Sequence, residues 1–237
     1  MGATETEILF RANAVRRKVG LAPVAGSAEL QAIARVHAVD MLTRGFFGHV
    51  NPDGRDPADR LAVLNRTFIG TNGENIGRVT GSIPAGPIAL AARFHDNWMA
   101  SDLHRGNVMG SDWTEMGIGV ARNNHTAVAV QVFGYQKARL DLAAPLRVRR
   151  GDRLNLSAMG LSAMGLSSTG ARLGPNLFDL WDPARGTIAA QPQRIAGAAG
   201  GAIAAPIVAP RGIYHLRFYF RDDGGFTIFT GPQISVQ

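Results

Sequence analysis

Residues 98–107 read Trp98-Met99-Ala100-Ser101-Asp102-Leu103-His104-Arg105-Gly106-Asn107 and decide the fold. Just upstream, Leu90, Phe94 and Trp98 recur every fourth residue, with Ile88, Ala92, His95 and Met99 on the neighbouring side. That spacing predicts a helix from about Pro87 to Met99, with the proline at its start. His104 then follows a helix end, where side chains point into clefts rather than cores. Downstream, Glu115–Ala121 and Ala127–Tyr135 read as two strands joined by the turn-prone Arg122-Asn123-Asn124-His125.

Toward the amino terminus, Thr4 with Glu7 three residues later is a capping-box pattern. It opens a helix carrying Ile8, Leu9 and Val15, which stops at Gly20-Leu21-Ala22-Pro23. Ser27 starts a second helix, in which Leu30, Ile33, Ala34, His37 and Met41 share one face, and Gly45 ends it. Phe46 to Arg55 holds Asn51-Pro52 and Asp53-Gly54 and is a loop. Pro57-Ala58-Asp59-Arg60-Leu61 opens a short helix. His37 on the apolar face reads as a satisfied core histidine, and His95 packs partly toward the core. His125 and His215 read as surface residues, and Gly73 and Gly117 serve backbone geometry.

From Ala143 the helical periodicity disappears. Tyr214, Leu216, Phe218 and Phe220 alternate with His215, Arg217, Tyr219 and Arg221, the period of a half-buried strand. Phe226-Thr227-Ile228-Phe229 follows Asp223-Gly224-Gly225, a hairpin signal. Leu156–Gly160 and Leu161–Gly165 are both Leu-Ser-Ala-Met-Gly, a duplication placed in a loop. Residues 146–237 are read as a small β-sandwich, with a boundary between Tyr135 and Leu146, and residues 1–140 are expected to fold alone.

The 237 residues are 46 % hydrophobic and 18 % charged, enough apolar material for a core. No stretch reaches the roughly 18 uninterrupted apolar residues that span a bilayer. The nearest, Ile195 to Ala209, is short and broken by glycines and Pro206, and reads as packed β structure or loop. The net charge is +7, and 23 of the 25 cationic residues are arginine. They form no long cluster and interleave with no aromatics, so nucleic-acid binding is not expected. Arg147, Arg149 and Arg150 are the densest group, in a strand or linker. Without cysteine there is neither disulfide framework nor thiolate site. No signal peptide opens the chain, since Thr4-Glu5-Thr6-Glu7 begins a polar helix. The match of Met1 to Thr6 to a myristoylation pattern is read as a start codon ahead of a mature chain.

Several motifs fall in one order across residues 5–135: Asn13 with Arg16; Gly45-Phe46-Phe47-Gly48-His49 with Asn51-Pro52-Asp53-Gly54; Gly73-Glu74-Asn75-Ile76; the 98–107 stretch; and Met116–Val120 with Val130–Gly134. Together they resemble the bacterial type of the CAP superfamily (SCP-like; cysteine-rich secretory, antigen-five and pathogenesis-related proteins). The resemblance implies an α+β class, an α-β-α sandwich over residues 1–140, followed here by the smaller all-β domain. It also implies export to an extracellular or cell-envelope location. The family's cleft carries two histidines and two glutamates that hold a divalent metal in some members. His49, Glu74 and His104 match three of these, and Ser101 stands where the second glutamate would be.

Two imidazoles and a carboxylate suit Zn²⁺ and leave one position for water or substrate. The same three residues equally make a hydrogen-bonded cluster that braces the cleft without metal. Asn75 reads as a backbone brace. Arg105 either clasps an anionic ligand group or pairs with Asp102 or Asp112. Ser101 beside His104 lacks an orienting acid for nucleophilic chemistry. Trp98, Phe94 and Trp113 are core or cleft wall. The expected site is therefore His49, Glu74, His104, Ser101, Trp98 and Arg105, with zinc through His49, His104 and Glu74. The expected function is binding of an extracellular ligand (lipid, glycan or protein), with metal-assisted hydrolysis of a peptide, ester or cell-wall substrate as the alternative.

Overall fold

The first helix, α1 (Ala3–Lys18), begins one residue before the expected cap. Gly2 is its N-cap, and the Glu5 carboxylate accepts the Gly2 N–H at 2.6 Å. Tertiary partners select this register: Glu5 is buried and also accepts from Gln31 Nε2 at 2.9 Å and Arg35 Nε at 2.8 Å. Glu7 is left to pair with Arg11 one turn on. After the two-residue strand β1 (Ala25–Gly26), Ser27 caps α2 (Ala28–Arg44), and Gly45 ends it in the left-handed conformation, φ 71°. Leu30, Ile33, Ala34, His37 and Met41 are all buried, as the periodicity requires.

This computed structural model describes residues 2–141, 143–156, 158–160, 177–194, 203–222 and 225–237. They form two compact units, Met1–Arg60 with Asn72–Tyr135, and Leu61–Thr71 with Gln136–Gln237. In the first unit α3 (Pro57–Leu64) leads into β2 (Phe68–Thr80), then α4 (Pro87–Met99) and α5 (Asp102–Val108). β3 (Glu115–Arg122) and β4 (Thr126–Leu140) follow as an antiparallel pair, registered from Arg122↔Ala127 to Glu115↔Gly134. The strand order is β1-β3-β4-β2, with β1 parallel to β3.

Alternation along β3 builds three layers. Met116 and Ile118 join Ile8, Ala12, Leu90, Phe94 and Trp98 in one core, on the α1 and α4 side. On the opposite side a Cβ at Gly117 would lie 2.0 Å from the Leu30 carbonyl carbon, and one at Gly119 2.2 Å from the Arg35 nitrogen. Helix α2 therefore rests on bare strand backbone, and glycine is required for contact rather than for turning. The result is an α+β fold with helices on both faces of a sheet.

Three elements differ from expectation. Strand β2 was legible only as a motif, because its glycines and asparagines are poor strand formers and its burial does not alternate. Strand β4 continues to Leu140 because Ala138 and Leu140 are buried. His104 follows the end of α4 as expected, but lies in the first turn of a further short helix, α5, whose N-cap is Ser101.

The second unit is built on strands. They are β5 (Arg147–Val148), β6 (Arg153–Leu156), β7 (Ala158–Gly160), β8 (Leu177–Asp182), β9 (Thr187–Arg194), β10 (Ile203–Pro206), β11 (Gly212–Asp222) and β12 (Gly225–Val236). The order is β2-β12-β11-β8-β9, with β5 beside β12, while β10 and β6 form a separate pair. Tyr214, Leu216, Phe218 and Phe220 are buried as the alternation requires. His215, expected at the surface, is only 5 % exposed. It lies on an inner strand, between Trp181 of β8 and Gln233 of β12, and Gln233 Nε2 is 3.4 Å from its ring. In the first copy of the repeat, Ala158–Gly160 is strand rather than loop, pairing with residues 138–140. The second copy lies outside the described residues, as do residues 195–202 of the apolar stretch.

Candidate functional site

Glu74 projects from β2 and is buried, with a side chain 2 % exposed. Each carboxylate oxygen is engaged. Oε1 accepts from His49 Nδ1 at 2.8 Å, and Oε2 accepts from Arg60 Nη2 at 2.6 Å. Arg60 is itself buried on α3, and its Nη1 donates to the carbonyls of His49 at 2.7 Å and Arg55 at 2.9 Å. One guanidinium thus fixes both the carboxylate and the loop that carries His49. With Nδ1 donating to Glu74, the His49 ring keeps its Nε2 lone pair free for the cleft.

Behind this pair sits His37, fully buried as expected of a core histidine. Its Nε2 donates to the Gly48 carbonyl at 3.0 Å and lies 3.9 Å from Glu74 Oε1. Burial holds its pKa below the ordinary imidazole range, against the opposing pull of Glu74. The loop residue Gly48 is therefore tied to α2 and His49 to α3, which explains why this irregular segment presents His49 in a fixed place.

The strand carrying Glu74 is braced from the other side. Asn107 Nδ2 donates to the Glu74 carbonyl at 3.1 Å and to Asn75 Oδ1 at 2.8 Å. Asn75 Nδ2 donates to the His104 carbonyl at 3.0 Å, the bracing role expected of it. Trp98 Nε1 donates to the Ile76 carbonyl at 3.0 Å, and Trp113 Nε1 to the Asn107 carbonyl at 2.9 Å. Further away, Arg16 donates to the carbonyls of Ala22, Val108 and Gly110, and Asn13 exchanges two hydrogen bonds with Val24. The Asn-x-x-Arg pair is a clamp on the loops that frame α5.

A cavity of about 290 Å³ opens here, lined by His49, Asp56, Pro57, Ala58, Asn72 and Glu74 together with Gly73. Of the expected residues, His49 and Glu74 line it directly. Burial, with His49 as a lesser second cause, lowers the His104 pKa, and His104 is not among the residues that line the cavity. Trp98 is not cleft wall: it is 1 % exposed and stacks on Phe94. Arg105 pairs with Asp102 at 2.5 Å and does not line the cavity, and Ser101 serves as a helix N-cap. Arg60 was absent from the expected site. A lone arginine inside a short amphipathic helix gives no spacing signal that would single it out.

The arrangement does not fit a three-ligand zinc site. Glu74 is buried against the Arg60 guanidinium, whose fixed positive charge opposes a second cation there, and each of its oxygens is already held by a hydrogen bond, from Arg60 or His49. Among the described residues, no three His, Cys, Asp or Glu side chains gather into a metal-holding group.

The sequence profile of the cysteine-rich secretory protein family, CAP, matches residues 9–134. Over 123 residues the chain is 32 % identical to the uncharacterized membrane protein YlbC of Bacillus subtilis (strain 168), covering 52 % of this chain and 33 % of that protein. Over 119 residues it is 29 % identical to the uncharacterized protein YkwD of the same organism, covering 50 % and 43 %. The chain thus spans less than half the length of these relatives. An outer surface protein of Borrelia burgdorferi has a similar fold, with TM-score 0.50 and 16 % identity over 56 % of this chain and 93 % of that one.

Proposed function

The chain belongs to the cysteine-rich secretory protein family, CAP, and from that premise we propose that it is an exported module whose cleft binds an extracellular ligand without transforming it. One observation carries this reading: the cleft's buried carboxylate, Glu74, is tied on both oxygens by Arg60 and His49. A hydrolase needs an activated nucleophile, a positioned base and an oxyanion stabiliser. Glu74 is badly placed to act as a base, because both of its oxygens are buried and held by Arg60 and His49 rather than turned toward a water or substrate in the cleft. Loss of general-base help typically costs about 10²–10⁴ in rate. The metal-assisted alternative would need that same carboxylate released from Arg60.

Binding asks less. The cavity of about 290 Å³ is at the lower end of small-molecule pockets, roughly 300–1,000 Å³. It suits one polar group of a larger lipid, glycan or protein rather than a whole ligand. Its chemistry is the open Nε2 of His49, the Asn72 amide and the apolar edge of Pro57 and Ala58. An extracellular or envelope location is supported by family membership and by the outer-surface name of the Borrelia relative. No helix among the described residues is long and apolar enough to cross a membrane. Co-sedimentation of the whole chain with purified peptidoglycan and, separately, with lipid vesicles tests the proposal. Retention that falls at least tenfold in His49→Ala supports cleft binding, and equal retention of the folded variant contradicts it.

A further inference from the structure

We propose that Arg60 is the resident cation of this cleft, supplying to Glu74 the positive charge that a divalent metal would otherwise bring, so that the cleft is built to work without metal. Arg60 and Glu74 side chains are 4 % and 2 % exposed, and the Nη2–Oε2 bond is 2.6 Å. A buried carboxylate needs a compensating charge, and here a side chain of the same chain supplies it permanently. Guanidinium does not deprotonate at any physiological pH, so it cannot step aside as a neutral group when a cation approaches. A divalent ion on Glu74 would face that fixed positive charge across one carboxylate.

The same side chain does the mechanical work of a metal. Arg60 bridges Glu74 to the His49 loop by donating to Glu74, to the His49 carbonyl and to the Arg55 carbonyl. His49 Nδ1 completes the carboxylate on its other oxygen, at 2.8 Å. Arg60 is thus a positioning residue: it orients Glu74, Glu74 orients the His49 ring, and the ring presents Nε2 to the cavity. This inference concerns metal independence and does not depend on which ligand the cleft takes.

Zinc and cobalt titrations of the whole chain test it. The wild-type melting temperature should be unmoved by millimolar Zn²⁺, and Co²⁺ should give no intense tetrahedral absorption. In Arg60→Met, which frees Glu74 while keeping an apolar stem in the buried site, Zn²⁺ affinity should rise at least tenfold. That gain should vanish in the Arg60→Met, Glu74→Gln double variant, whereas Arg60→Lys should gain nothing. A purely structural role for Arg60 would not produce a gain of metal affinity. Zinc stabilisation of the wild type that disappears in the His49→Ala, His104→Ala variant would overturn the proposal. So would a folded Arg60→Met that gains no affinity. Should Arg60→Met fail to fold, the wild-type titration decides alone, its unmoved melt supporting the proposal and its stabilisation overturning it.

Discussion

At the scale of single residues, the buried Arg60–Glu74 pair and the buried histidines govern how the first unit responds to mutation and pH. Removing one partner of a buried pair strands the other charge, at a cost of about 3–5 kcal/mol, while replacing both with apolar groups is often close to neutral. Urea unfolding should therefore show Arg60→Met and Glu74→Leu each strongly destabilised and the double variant less so than their sum. Additive losses would mean the pair is not coupled. His37 and His95 are 0 % and 5 % exposed, and burial lowers both pKa values from 6.5. A histidine whose folded pKa lies below its unfolded one binds fewer protons when folded, so stability is full above about pH 6.5 and declines as pH falls below it. Each such group contributes a slope of at most about 1.4 kcal/mol per pH unit. His95→Gln should flatten the decline of melting temperature between pH 6.5 and 5, and an unchanged slope would remove His95 from the account. Arg60 shows where residue-level reading ran out. His49, Glu74 and His104 are visible through their motifs, whereas nothing in the spacing around Arg60 says that its side chain folds inward.

At the scale of elements, α2 on β3 is the contact that shapes the sheet. Alanine at Gly117 or Gly119 places Cβ within 2.0 or 2.2 Å of α2 backbone atoms, which no side-chain rotation relieves. Overpacking of a core typically costs about 1–3 kcal/mol, and backbone against backbone should reach or exceed the upper end. Either substitution should lower the urea midpoint by more than Gly106→Ala, where a Cβ meets nothing within 4 Å. Equal midpoints would show that α2 can lift from the strand without loss. The helices were legible because periodicity and caps agree: Ser27 and Gly45 bound α2, and Pro87 starts α4. Strand β2 was not, because its conformation is imposed by neighbours and by side chains such as Asn107 and Trp98 bonding its backbone. The seven-residue α5 was hidden for a related reason, since so short a helix has no period to read.

At the scale of the whole molecule, the division into an α+β part and a strand-built part was legible in the change of pattern near Ala143, but its course along the chain was not. Leu61–Thr71 group with Gln136–Gln237, because Arg66 donates to the Ala144 and Pro145 carbonyls and Gly70 pairs with Thr230. A chain ending at residue 140 keeps its own helix–sheet core and should still melt cooperatively. It loses these partners and should melt several degrees below the whole chain; an insoluble or non-cooperative product would mean that the two halves share a core. The account's central claim is that the cleft binds and does not catalyse. The most direct measurement is turnover by the whole chain, with zinc supplied, of peptide, ester and peptidoglycan substrates. The account predicts no turnover above a folded Glu74→Gln control, and turnover that disappears in that control would contradict it.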